Sequence, residues 1–111
     1  MTDRHGIGRK MEQEAFKHGW KWHGWHGFWQ PPRSKFQSQD IFGVFDFLCV
    51  GQFGDLVAVQ VCMDRKCWVE PRVKAIKDWD TEQNHPCLLE YVMAYKREKD
   101  GSVVWRTVGP F

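Results

Sequence analysis

Apolar residues recur along the chain at two spacings, and each spacing predicts an element. Met11, Ala15 and Phe16 form a stripe over residues 9–18 at helical spacing, with Gly19 as a natural stop. Residues 1–8, with two glycines and little apolar content, read as a loose end ahead of a single domain over 9–111. Residues 43–50 (GVFDFLCV) and 56–62 (LVAVQVC) are nearly continuous apolar runs rich in β-branched and aromatic side chains. Glycines in the five intervening residues predict a β-hairpin. Runs so uniformly apolar predict strands covered on both faces.

Downstream, residues 63–68 are a polar connection. Residues 69–79 read as a helix, with Pro71 in its first turn and Val73 and Ile76 facing inward. After a loop at 80–85, residues 87–97 alternate as a half-buried strand does. Asp100-Gly101 makes a turn, and residues 103–108 return antiparallel. The order of elements predicts an α/β domain with a central mixed sheet flanked by helices.

The segment 20–29 fits neither period. Trp20 and Trp22 alternate with Lys21 as in a strand, but Gly24 and Gly27 break the pattern before Trp29 and Pro31-Pro32. Its rings suit either a stacking platform for bases or the filling of a sheet or dimer interface.

Composition narrows the class. A chain of 111 residues, 42% hydrophobic, can bury one core, which excludes a disordered tail or a multidomain enzyme. No apolar run approaches the roughly 18–20 residues of a membrane span, and residues 1–10 carry no apolar signal segment. Cys49, Cys62, Cys67 and Cys87 are therefore expected to be reduced thiols of a cytoplasmic protein. The net charge of +2 is unevenly spread. Arg9, Lys10, Lys17, Lys21, Arg33 and Lys35 lie in one stretch against only Glu12 and Glu14. That stretch suits phosphate contacts or a solvated basic face.

Two polar residues interrupt the apolar hairpin. Asp46 stands between Phe45 and Phe47, and Gln60 stands between Val59 and Val61. An unpaired buried charge costs several kcal/mol, about a domain's whole margin of stability. Strand parity lets the two side chains converge on one side of an antiparallel hairpin. Oxygen donors placed this way can hold a divalent ion that keeps waters and a substrate phosphate, which is a plausible phosphodiester-cleaving site. A structural hydrogen-bond network under the sheet is the other reading.

The order SQDIFGVFDFLCV, LVAVQVC, RVKAIKDW and EYVMAYKRE…SVVWRTV resembles the PD-(D/E)XK nuclease superfamily over about residues 9–108. The closest likeness is to small Holliday-junction-resolvase-like endonucleases, including short phage and bacterial members. The resemblance implies a restriction-endonuclease-like core and a Mg²⁺- or Mn²⁺-dependent endonuclease acting on DNA, branched DNA in particular. Two symmetric cuts imply a homodimer. Asp46 takes the place of the metal-binding aspartate and Gln60 that of the second ligand. Glu12 or Glu14 matches the first-helix glutamate, and Asp40 is a further metal-ligand candidate. The basic stretch would grip phosphates.

The departure is Cys62, which stands where the family places its lysine; a thiol with a pKa near 8.5 is mostly neutral at pH 7. Lys74 and Lys77 are the expected substitutes, ahead of Lys35 and Lys66. The alternative is a catalytically weakened or inactive binding module of the same fold. A structural zinc at Cys62, Cys67 and Cys87 lacks the usual spacing, and no glycine-rich phosphate loop is present.

Overall fold

The β2–β3 hairpin organises the molecule. In the computed structural model, which describes residues 4–31, 41–83 and 88–111, β2 (Phe47–Val50) and β3 (Leu56–Met63) pair antiparallel, with Phe47 opposite Val59 and Val50 opposite Leu56. Gly54, at φ +86°, lets the connecting turn close, with the Gly51 N–H donating to the Asp55 carbonyl at 2.7 Å. Around this hairpin are α1 (Arg4–His23), β1 (His26–Trp29), α2 (Lys66–Gln83), β4 (Leu88–Arg97) and β5 (Val103–Val108). The strands lie in chain order, β1-β2-β3-β4-β5. Only β3 and β4 are parallel, joined by the α2 crossover; the other pairs are antiparallel.

Strand alternation divides the core in two. Ala58, Cys62, Val92 and Ala94 face Val69 and Ile76 of α2, with Phe45 completing the cluster. Phe47, Cys49, Val57, Val59 and Met93 face the other way, onto Ala15 of α1 and Trp25. Phe45, Phe47 and Ile76 are fully buried, each stabilising by about 1.5–3 kcal/mol relative to exposure. The sheet is thus covered on both faces, and the mixed α/β layering expected from the sequence is present. No helix among the described residues is long and apolar enough to cross a membrane.

Several boundaries differ from the sequence reading, each for a local reason. Helix α1 begins at Arg4 and passes through Gly19 to His23. Gly19 does not stop it. A Cβ at Gly19 would lie 1.9 Å from the Trp25 ring, so glycine is required by packing. The left-handed residue after the helix is Gly24, at φ +71°. Trp20 and Trp22 are therefore helical and two-thirds exposed, not strand residues, and Trp25 alone of the segment's four tryptophans is buried. Gly27, at φ +66°, sits where the β1–β2 register shifts, as a bulge glycine does.

Strand β2 starts at Phe47, not at residue 43. Ile41 and Phe45 instead close a tight loop, exchanging backbone hydrogen bonds at 2.7 and 2.9 Å, with Phe42 and Gly43 at positive φ. Helix α2 starts three residues early, so Pro71 falls in its second turn. The expected loop at 80–85 is helical as far as Gln83. In β4 both sets of alternating residues are covered, which buries Glu90 completely.

Candidate metal and nucleic-acid site

Because β2 ends at Phe47 while β3 runs on to Met63, the β3 edge is left without a strand beside Val61. The Asp46 side chain fills that notch. Its Oδ2 accepts the Val61 N–H at 2.7 Å, while the Asp46 N–H donates to the Val59 carbonyl at 2.8 Å. A carboxylate thus stands in for the missing ladder acceptor, which accounts for a charged residue beside two buried phenylalanines.

Extending the β2–β3 register by one residue places Gln60 across from Asp46. With its amide oriented to satisfy both neighbours, Gln60 donates to the Val44 carbonyl and accepts from Arg72 Nε at 3.1 Å. Arg72 comes from α2, three residues after Val69 and four before Ile76, the two innermost positions of that helix. Its guanidinium also donates to the Trp68 carbonyl at 3.0 Å and lies 5.2 Å from the centre of the Trp68 ring.

The third wall is α1. Glu12 is 4% exposed, and its Oε2 accepts from Gln30 Nε2 at 2.8 Å. The same Gln30 nitrogen reaches the Asp46 carbonyl at 3.2 Å. One amide thereby ties the first helix to the start of β2. Glu14 points elsewhere, 3.4 Å from Lys17 on the exposed side of α1.

Cys62 is buried on the α2 side of β3. Burial pushes its thiol up; Arg72 opposes that, and Asp64 and Asp46 add to it. The thiol stays protonated near neutral pH and cannot replace a lysine. Neither expected lysine substitute reaches the notch by a described contact. Lys74 pairs with Asp78 at 2.8 Å in solvent, and Lys77 lies 5.7 Å from the Phe111 ring centre. Lys66 faces Glu70 at 4.0 Å on an exposed part of α2. Among the described residues, the cation joined to Gln60 is Arg72. The helical phase of Val69 and Ile76 is the signal in the sequence that points to it, where residue type alone points to lysines.

Arg9, Lys10, Lys17 and Lys21 all lie on α1; Lys17 pairs with Glu14, and Lys21 sits 5.2 Å from the Trp22 ring centre. Arg33, Lys35, Asp40 and Cys87 lie outside the described residues. Cys62 and Cys67 do not meet as zinc ligands: one is buried in β3 and the other exposed on α2.

Among the described residues, no group of three or more His, Cys, Asp or Glu is gathered as a metal cluster. The donors nearest the notch are nevertheless hard oxygens, the Asp46 carboxylate and the Gln60 amide, with the Glu12 carboxylate one amide away through Gln30. The one soft donor, Cys62, is held neutral. That chemistry fits Mg²⁺ or Mn²⁺, which take one or two protein carboxylates and complete their shell with water and substrate phosphate.

Sequence reasoning also missed a carboxyl pair one same-face step along β4 from Val92, the residue opposite Gln60. Glu90 is fully buried beside the Asp80 carboxyl, with which it can share a proton as a carboxyl–carboxyl hydrogen bond. Burial, and after it the nearby Asp80 carboxyl, push Glu90 up to about 8. An alternating strand with both faces covered was the available signal. No protein-family model, curated protein or solved structure matches the chain.

Proposed function

We propose that this chain is a divalent-metal-dependent DNA endonuclease with a restriction-endonuclease-like core, acting on branched DNA as a homodimer in the cytoplasm. The reading is carried by Asp46 at the start of β2, whose carboxylate takes the Val61 N–H in the notch and whose backbone carbonyl is tied through Gln30 to Glu12 of α1, with the Gln60–Arg72 pair on the neighbouring stretch of β3. The sequence of one helix, three strands, a crossover helix and a parallel strand supports the same reading.

When bound, Mg²⁺ or Mn²⁺ supplies Lewis acidity toward a phosphodiester and lowers the pKa of water. Asp46 would hold the metal, with one oxygen fixed by the Val61 N–H so that the carboxylate is oriented in advance. Gln60 would offer its neutral oxygen on release from Arg72. Glu12, fixed through Gln30, adds negative charge behind the site. Arg72 would offer its guanidinium to charge that builds on the phosphate during attack. Cys62 moves no proton.

The test is cleavage of a labelled four-way junction with Mg²⁺ or Mn²⁺, with and without a chelator. Cutting that stops with the chelator and with Asp46→Asn supports the proposal. A wild-type protein that binds the junction and cuts no DNA overturns it. The second reading, a catalytically silent DNA-binding module, is favoured by one observation: Gln60 already spends its amide on Val44 and Arg72.

A further inference from the structure

At the carboxyl ends of the parallel strands β3 and β4 lies a cleft of about 660 Å³, lined by Met63, Asp64, Arg65, Tyr95, Lys96 and Arg97. We propose that this cleft is the principal grip on DNA, binding the sugar–phosphate backbone that runs on from the Asp46–Gln60 notch through Arg65, Lys96 and Arg97. The inference rests on the endonuclease reading for its direction but uses different residues, and it moves the grip away from the lysines of α1.

Three observations carry it. The first is charge. Arg65, Lys96 and Arg97 are exposed, and none makes an ion pair among the described residues. The cleft's one acid, Asp64, is already occupied: Arg106 Nη2 lies 2.8 Å from its Oδ1 and Arg106 Nε 3.2 Å from each carboxylate oxygen. That fork holds the Asp64 carboxyl below its ordinary range. Lys96 also acts on Asp64, so an anionic polymer meets three cations in the cleft against one acid that Arg106 already holds.

The second observation is continuity. Across the sheet, Cys62 pairs with Ala94 and Ala94 with Arg106, so the row beside Gln60 ends at the Arg106–Asp64 pair. Asp64 is two residues beyond Cys62, and its N–H donates to the Tyr95 carbonyl at 2.7 Å, which fixes the cleft floor. The third is topology. In open α/β sheets, ligands bind outside the carboxyl ends of parallel strands where the connections diverge. β3 and β4 are the one parallel pair among the described strands. By contrast, Lys17 and Lys21 are already engaged with Glu14 and the Trp22 ring.

The experiment is fluorescence anisotropy of a labelled four-way junction and a linear duplex over a KCl series, in chelator so that cutting plays no part. Lys96→Ala/Arg97→Ala and Arg65→Ala are compared with wild type and with Lys10→Ala/Lys17→Ala. All these positions are outside the core, and circular dichroism checks each fold. Loss of two phosphate contacts lowers the log–log salt slope by about 2 and weakens binding on the order of 50-fold at about 0.1 M salt. The α1 double variant changes both by less. Unchanged slope and affinity in the cleft variants overturn the inference, as does a wild type that binds neither DNA. Binding that depends on the cleft in a protein that never cuts upholds the inference while the endonuclease reading falls. Cutting by a protein whose binding ignores the cleft does the reverse.

Discussion

The Asp46 carboxylate accepts the Val61 N–H at 2.7 Å, so an acidic side chain closes the edge that β2 leaves open on β3. The same group is the proposed metal ligand, which makes its structural and chemical roles separable by substitution. Asp46→Asn keeps an acceptor oxygen and is expected to cost less than about 1 kcal/mol of stability while abolishing cleavage. Asp46→Ala leaves a part-buried N–H without its acceptor and is expected to cost about 1–3 kcal/mol. Urea unfolding midpoints for both variants, set beside junction cleavage, check the separation.

Among the described residues, Arg72 is joined to the notch through Gln60. Arg72→Gln is expected to lower the cleavage rate by about 10²–10³-fold, as removing a donor to a developing negative charge does elsewhere. Lys74→Ala and Lys77→Ala are expected to cut at nearly the wild-type rate. Single-turnover rates on one junction measure all three.

Glu90 predicts a pH dependence. Its folded-state pKa, pushed up to about 8, exceeds the ordinary value of 4.5, so the folded protein binds a proton that the unfolded chain gives up earlier. The stability this contributes is fully present below pH about 4.5 and is lost as pH rises through about 8. Glu90→Gln cannot ionise. Its melting temperature is expected to stay flatter across that window and to exceed the wild-type value at pH 8–9, read by thermal unfolding at stepped pH.

Gly19 supplies a packing prediction. An alanine in a helix interior ordinarily gains about 1 kcal/mol over glycine. Here the added methyl meets the Trp25 ring at 1.9 Å, and that ring is hemmed in by Phe47 and Tyr91. Overpacking of about 1–3 kcal/mol is expected to outweigh the propensity gain. Chemical denaturation should show Gly19→Ala less stable than wild type.

The hairpin and the last three elements were legible because alternation and turn glycines act locally. The readings that failed depended on contacts distant in sequence. Gly19 looked like a helix stop because its requirement comes from a ring six residues on. Trp20 and Trp22 looked like strand because their outward helical positions bury little. Asp46 looked mid-strand because nothing local says that its own carboxylate ends β2. Arg72 was hidden because residue type points to lysines, whereas helical phase points to position 72. Glu90 lay hidden in an alternation that normally marks a solvated face.

Strand order that follows chain order has a kinetic side. The β2–β3 and β4–β5 pairings close short loops and can form early, whereas the parallel β3–β4 pairing must wait for α2 to traverse the sheet. The slow step in reaching the native state is therefore expected to be the docking of Val69 and Ile76 onto Ala58 and Val92, since only that event aligns the two halves of the chain.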